Sequence, residues 1–213
     1  MEYLRYGECG IRIVFGDSID PDINNRVIRY YLHLKSKNID AITNIIPSFN
    51  TCLVEFDNTQ IRFEGLVLSL NALEEETLAP LGRASRIHDI PVRYGGDYGP
   101  DMGFVSSYTG LSEEEAIEVH TSVVYTVYTI GFIPGFPYLG TLDKRLFVPR
   151  LETPRTSVPA GSVGLAQLQT GIYTFESPGG WQIIGRTDMR LFDYRNPPFS
   201  TLLVGDKVRF IPI

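Results

Sequence analysis

The chain has 213 residues and a formal net charge of −6. That length suits one large domain or two small ones with a real core, and the negative charge argues against nucleic-acid or anionic-membrane partners. No apolar run approaches the ~18 residues of a membrane span.

The opening segment, MEYLRYGECGIRIVFG, lacks the charged-then-apolar layout of a signal peptide, so a mature cytoplasmic protein is expected. It alternates well enough for a strand, or for a hairpin bent near Gly7 and Gly10. Cys9 and Cys52, the only cysteines, lie in strand-like runs and are expected as reduced, buried thiols. Asp20 and Pro21 fit the N-cap and first position of a helix, and Ile23, Val27, Tyr30, Tyr31 and Leu34 follow at helical spacing. Two extended runs split by PSFN come next, then a weaker helix over TQIRFEGLVLSLNALEEETL, then a strand in RIHDIPVRYG. This order is β-α-β-β-α-β, the split βαβ of ferredoxin-like domains, ending around residues 85 to 95.

Beyond GGDYGPDMG the texture changes. One clear helix begins at Ser112, where Glu115 completes a capping box. Short strands separated by turns follow to the end, which predicts a β-barrel or sandwich. Phosphate-loop, dinucleotide, nucleophile-elbow and zinc motifs are all absent, and His33, His88 and His120 are too far apart to share a metal.

Several residues remain as candidates. His120 closes the capped helix, either as a structural group favoured by the helix dipole or as an acid–base group facing a pocket. Arg150 and Arg155 bracket LETP, as surface residues or as a clamp for a carboxylate or phosphoryl group. Glycines surround Gln167 and Gln169, and ESPGGW carries the single tryptophan, Trp181. The segment YTIGFIPGFPYLGTLDKRLFVPR joins glycines and prolines to many aromatics, a composition unsuited to a helix.

The motifs IPVRYGGDYGPD, GFIPGFPYLGTL, TPRTSVPAGSVG, QTGIYTFESPGGWQIIGRT and NPPFSTLLVGDKVRF together resemble the family of the 5-oxoprolinase B subunit, also called KipI-like or allophanate hydrolase subunit 1. The match is dense from about residue 86 onward and a pattern only before it. The resemblance implies an α+β chain: a ferredoxin-like domain over 1–85 followed by a cyclophilin-like β-barrel over 86–213. It implies the 5-oxoprolinase C subunit (KipA-like) as partner, a further A subunit, and use of ATP with Mg at the assembled complex. In that setting 5-oxoproline is phosphorylated and opened to L-glutamate, and this chain alone is expected to be inactive. His120, Arg150 and Arg155 become the catalytic candidates, with Gln169, Ser177, Gly179 and Trp181 as substrate-binding candidates. Phe132, Pro134, Phe136, Pro137 and Tyr138 become a rigid lip for a partner, or a cap on the barrel core. Some members of the family instead inhibit a sporulation histidine kinase, and related halves occur in urea carboxylases. Gln167 and Leu168 stand where the family has glycines, which would narrow the site, and Thr174 stands where it has proline.

Overall fold

A computed structural model describes residues 1–76 and 85–213. The chain divides into two compact units, Met1–Ala84 and Ser85–Ile213.

The first unit begins with a hairpin, β1 (Glu2–Tyr6) and β2 (Gly10–Val14), turned at Gly7 with φ of 63°. Helix α1 (Pro21–Lys37) starts as its sequence predicts: the Asp20 carboxylate accepts from the backbone N–H groups of Asp22 and Ile23 at 2.8 and 3.1 Å. Strands β3 (Ile42–Pro47) and β4 (Thr51–Phe56) and helix α2 (Phe63–Glu76) complete the unit; the expected extension of α2 to Leu78 lies outside the described residues. Val27, Tyr30 and Leu34 of α1 meet Leu66 and Leu70 of α2 and the inward residues of β2 and β4 in one core. Cys52 belongs to that core, and burial pushes its thiol up to about 12. Cys9 is exposed on the hairpin turn, contrary to the expectation for both cysteines.

The antiparallel sheet of this unit has the order β1-β2-β4-β3. Its fourth place is filled by the N-terminal strand, not by the segment after α2 that the β-α-β-β-α-β reading required. That segment, β5 (Ile87–Tyr94), pairs with strands of the second unit instead. The difference is physical: the short turn from Gly7 to Cys9 lets β1 fold directly onto β2, so the edge is occupied early in the chain.

The second unit is a closed seven-stranded barrel. Around it run β10 (Gln169–Ile172), β7 (Pro137–Gly140), β6 (Val124–Ile130), β13 (Lys207–Pro212), β5, β12 (Gln182–Arg186) and β9 (Ser162–Ala166). All pairs are antiparallel except β5 with β13, which run parallel from Ile87↔Lys207 to Val92↔Pro212. The inward residues of these strands, among them Ile90, Val127, Leu139, Val163, Ile172 and Val208, fill the interior. Helix α4 (Glu113–Thr121) carries the full capping box between Ser112 and Glu115. A second helix, α3 (Met102–Thr109), precedes it and was hidden by a sequence rich in glycine, serine and β-branched residues. A two-stranded sheet, β8 (Arg155–Val158) with β11 (Ser177–Gly179), lies outside the barrel circuit.

Candidate functional site

The barrel's outer surface gathers most of the candidates. Phe136, Val158, Ala166, Tyr173, Trp181 and Ile183 form a buried cluster separate from the barrel interior. Three glycines make it possible. A Cβ on Gly171 would lie 2.8 Å from the Phe136 ring, one on Gly164 would lie 3.0 Å from Cβ of Trp181, and one on Gly179 would collide with the Tyr173 hydroxyl. The rings therefore rest directly on backbone. Phe136 stands edge-on to Trp181 at 5.5 Å and to Tyr173 at 5.2 Å between centroids.

Arg155 and Arg150 border this cluster. Nη2 of Arg155 donates to Oδ1 of Asp101 at 2.6 Å, while Oδ2 of the same carboxylate accepts from the Ile183 N–H at 2.6 Å. Asp101 occupies the N-cap position of α3 but caps nothing with its side chain, which is committed to Arg155 and Ile183. The other guanidinium nitrogen of Arg155, Nη1, is buried without a partner. Arg150 is exposed, its guanidinium 5.9 Å from the Trp181 ring centroid. Burial raises the pKa of Tyr138 and of Tyr173. The Arg150 cation opposes the shift at both tyrosines, and at Tyr173 Arg155 opposes it too, as does the Trp181 N–H bonded to that hydroxyl.

Polar donors complete the arrangement. Arg155 pairs with Gly179, and Ser177 with Val158, across the two-stranded sheet; Gln169 pairs with Ala166 on the barrel. Nε2 of Gln169 and Oγ of Ser177 are buried without partners, like Nη1 of Arg155. All three atoms can donate hydrogen bonds, and Oε1 of Gln182, between Trp181 and Ile183 in the chain, is a buried acceptor without a partner.

Two expectations are corrected. His120 does not belong to this site: it is fully buried in the barrel unit, stacked on Phe210 at 4.6 Å. The Thr170 hydroxyl donates to the Gly164 carbonyl, so it accepts from Nε2–H of His120 at 3.0 Å, and Nδ1 then accepts from the Tyr94 hydroxyl at 2.8 Å. Burial holds this imidazole neutral, down at about 3, as a structural bridge rather than an acid–base catalyst. The expected lip also divides. Phe136 and Pro137 are buried, because the bare backbone at Gly171 draws the Phe136 ring inward. Phe132 is 61% exposed with φ of 69°, Pro134 is exposed, and Tyr138 is half-buried.

Two of the three residues set against the family pattern, Gln167 and Thr174, have distinct local settings. Gln167 is exposed on the β9–β10 turn with φ of 54°, a left-handed conformation that glycine adopts more readily. Thr174 donates from Oγ1 to the Pro134 carbonyl at 2.7 Å, tying down the exposed loop. Asp101 and Tyr173 escaped sequence reasoning; Asp101 lies in a stretch that reads as a linker, 54 residues before the arginine it binds.

The fold and this site define a class: a closed-barrel protein in which two arginines border a buried aromatic cluster resting on glycine backbone. The model of the carboxyltransferase domain, subdomain C and D, matches residues 1–202, and the chain belongs to that family, whose members include proteins named as the B subunit of 5-oxoprolinase. It is 38% identical to the 5-oxoprolinase B subunit of Bacillus subtilis (strain 168), over 98% of this chain and 91% of that one. It is 44% identical to the protein of the same name from Escherichia coli O157:H7, over 80% of this chain and 78% of that one. The solved structure of TTHA0988 superposes with a TM-score of 0.84 at 33% identity, covering 96% of this chain. This chain spans only 40% of that polypeptide. Among the described residues no helix is long and apolar enough to cross a membrane.

Proposed function

We propose that the chain is the B subunit of an ATP-dependent 5-oxoprolinase, working with the C and A subunits to open 5-oxoproline to L-glutamate. The names of its relatives support the reaction class. The single observation that carries the site is Arg155, fixed on Asp101 through one nitrogen and unpartnered at the other. A lactam carbon is a poor electrophile until its oxygen is activated, and ATP supplies the phosphoryl group for that step. The residues of this chain fit the anionic oxygens: Arg150 and Arg155 offer charge, while Gln169 and Ser177 offer orienting donors. These groups offer N–H and O–H donors, which suit the oxygens of an anion rather than a Mg ion. Gly179 and Trp181 shape the floor beneath the ligand.

The test is ATP hydrolysis stimulated by 5-oxoproline, with this chain mixed with its C partner and each protein by itself as control. Stimulation is expected only in the mixture, and Arg150→Ala and Arg155→Ala should each abolish most of it. Full turnover in both variants would remove the arginines from the site. A complex indifferent to 5-oxoproline would remove the substrate and favour urea-like amides, in keeping with the family's carboxyltransferase description.

A second reading rests on Phe132, an exposed aromatic in a left-handed conformation beside exposed Pro134. Such a ring suits a protein partner, the C subunit or a histidine kinase whose autophosphorylation the chain would block. Phe132→Ser should then weaken complex formation or kinase inhibition while leaving folding intact.

A further inference from the structure

The sheet of the first unit has two edges, β1 and β3, and their side chains differ in kind. An edge strand leaves backbone N–H and C=O groups open, and charged side chains ordinarily keep other strands away from them. β1, with the sequence EYLRY, carries Glu2 and Arg5, and Arg5 pairs with Glu64 at 3.0 Å. β3, with the sequence ITNIIP, carries no charged residue.

The open groups of β3 can be located. The Phe56 N–H donates to the Cys9 carbonyl, so the even-numbered residues of β4 turn their backbone groups toward β2 and the odd-numbered ones toward β3. Ile45 stands opposite Val54, so its own N–H points away from β4. That N–H donates to Oδ1 of the preceding Asn44 at 2.9 Å, a side chain standing in for the carbonyl of a further strand.

Beside this edge lies a groove of about 290 Å3 between β3 and the last turns of α1. Ile39, Ile42 and Ile45 line it and pack on the core of the first unit while staying only half-buried, so apolar surface runs out to the edge. Among the described residues, Lys35 is the one charged side chain in the lining. Its Nζ lies 5.6 Å from the Tyr31 ring centroid and 3.4 Å from that residue's hydroxyl, and it makes no ion pair among the described residues. The neighbouring Glu55 carboxylate accepts from the Asn44 amide at 3.1 Å.

An uncharged edge, an apolar groove between that edge and a helix, and one uncompensated cation make a receptor for strand addition. In that mode main-chain hydrogen bonds give affinity and alternate side chains give selection. We infer that β3 takes an extended segment of another protein as a fifth strand, with apolar side chains at alternate positions over Ile42 and Ile45 and a carboxylate on Lys35. A second copy of this chain fits less well, because its β3 would bring no carboxylate to Lys35. The inference concerns the first unit alone and stands whether or not 5-oxoproline is the substrate.

The experiment is titration of the full isotope-labelled chain with the end-blocked peptide Val-Thr-Val-Thr-Glu-Thr, followed by amide chemical shifts and hydrogen exchange. Binding at about 1 mM peptide or below is expected. It should slow exchange of the Ile45 N–H and move the shifts of β3 and the end of α1, leaving β1 and the barrel unchanged. Lysine in place of the peptide's glutamate should weaken binding about fivefold, and Lys35→Glu should reverse that preference, as expected for one exposed ion pair. Ile45→Pro removes the outward N–H at a position where an edge strand tolerates proline, and should weaken binding about tenfold. Unchanged shifts at about 1 mM peptide would overturn the inference. So would a preference for glutamate that survives in folded Lys35→Glu, or shifts that move on β1 or the barrel instead. The same β3 shifts appearing without peptide as the protein concentration rises would assign the edge to a second copy and overturn the peptide. Should Ile45→Pro fail to fold, the charge reversal at Lys35 decides by itself.

Discussion

Asp101 holds Arg155 with one carboxylate oxygen and the Ile183 N–H with the other, each at 2.6 Å. One side chain at the start of α3 thus fixes both a strand of the barrel and the guanidinium of the candidate site. The two partners are not equally dependent on each other. Asp101→Ala leaves a partly buried guanidinium without an anion and a buried N–H without an acceptor, a loss of about 2–3 kcal/mol. Arg155→Ala leaves Asp101 its bond to Ile183 and should cost about 1 kcal/mol. Urea unfolding of both variants and the double variant checks this. Equal costs that simply add would mean the two side chains are not coupled.

The His120 bridge predicts a pH dependence of stability. Its folded-state value is depressed to about 3 from an unfolded value of 6.5. Between those values the unfolded chain binds the proton and the folded chain does not, so stability falls as pH drops below about 6.5 and continues to fall toward about 3. The slope from this one group approaches about 1.4 kcal/mol per pH unit. His120→Gln should flatten that slope in thermal melts taken from pH 7 to pH 4. The variant should leave the pH profile of any 5-oxoproline-dependent turnover in the mixture with the C partner unchanged, because the imidazole is fully buried and bonded at both ring nitrogens. A displaced turnover profile would return His120 to the chemistry.

The two thiols should separate cleanly. Cys52 is buried with its thiol pushed up to about 12, while Cys9 is exposed on the hairpin turn. Only thiolate reacts, so a disulfide reagent at pH 8 should modify Cys9 rapidly and Cys52 only on unfolding. Native Cys9→Ser should show almost no reactive thiol. Rapid labelling of Cys52 in that variant would mean that the core of the first unit opens locally.

What was legible in the sequence was local. Asp20 with Pro21, and Ser112 with Glu115, announce their helices because a cap and the groups it satisfies lie within one turn. The parallel pairing of β5 with β13 joins segments 120 residues apart, and no spacing rule reports it. For the same reason Ile87–Tyr94 reads equally well as the last strand of the first unit or as a barrel stave. The site was half visible. Arg155, Gln169 and Trp181 fall in motifs, but what each touches depends on residues far along the chain. Phe132 and Phe136 show the limit most plainly. They lie only four positions apart in a single glycine–proline segment, yet one is exposed and the other buried against Gly171, which the chain reaches much later.

Gln167 offers a test in which a substitution should stabilise the chain. Its φ of 54° lies in the left-handed region, where a side chain with Cβ crowds the following carbonyl at a cost of about 1–2 kcal/mol. The turn is nonetheless well held, since the Gln167 N–H donates to the Val148 carbonyl at 2.6 Å. Gln167→Gly keeps that bond and removes the crowding, but it also frees the unfolded chain, which takes back about 0.5–1 kcal/mol. The net gain should be about 0.5–1 kcal/mol, read as a Tm higher by a few degrees for a unit of this size. Gln167→Ala keeps the Cβ and its strain, so it should give no such gain. A rise in Tm for the alanine variant equal to that for glycine would mean that the glutamine side chain, and not the backbone of the turn, is the source of the strain.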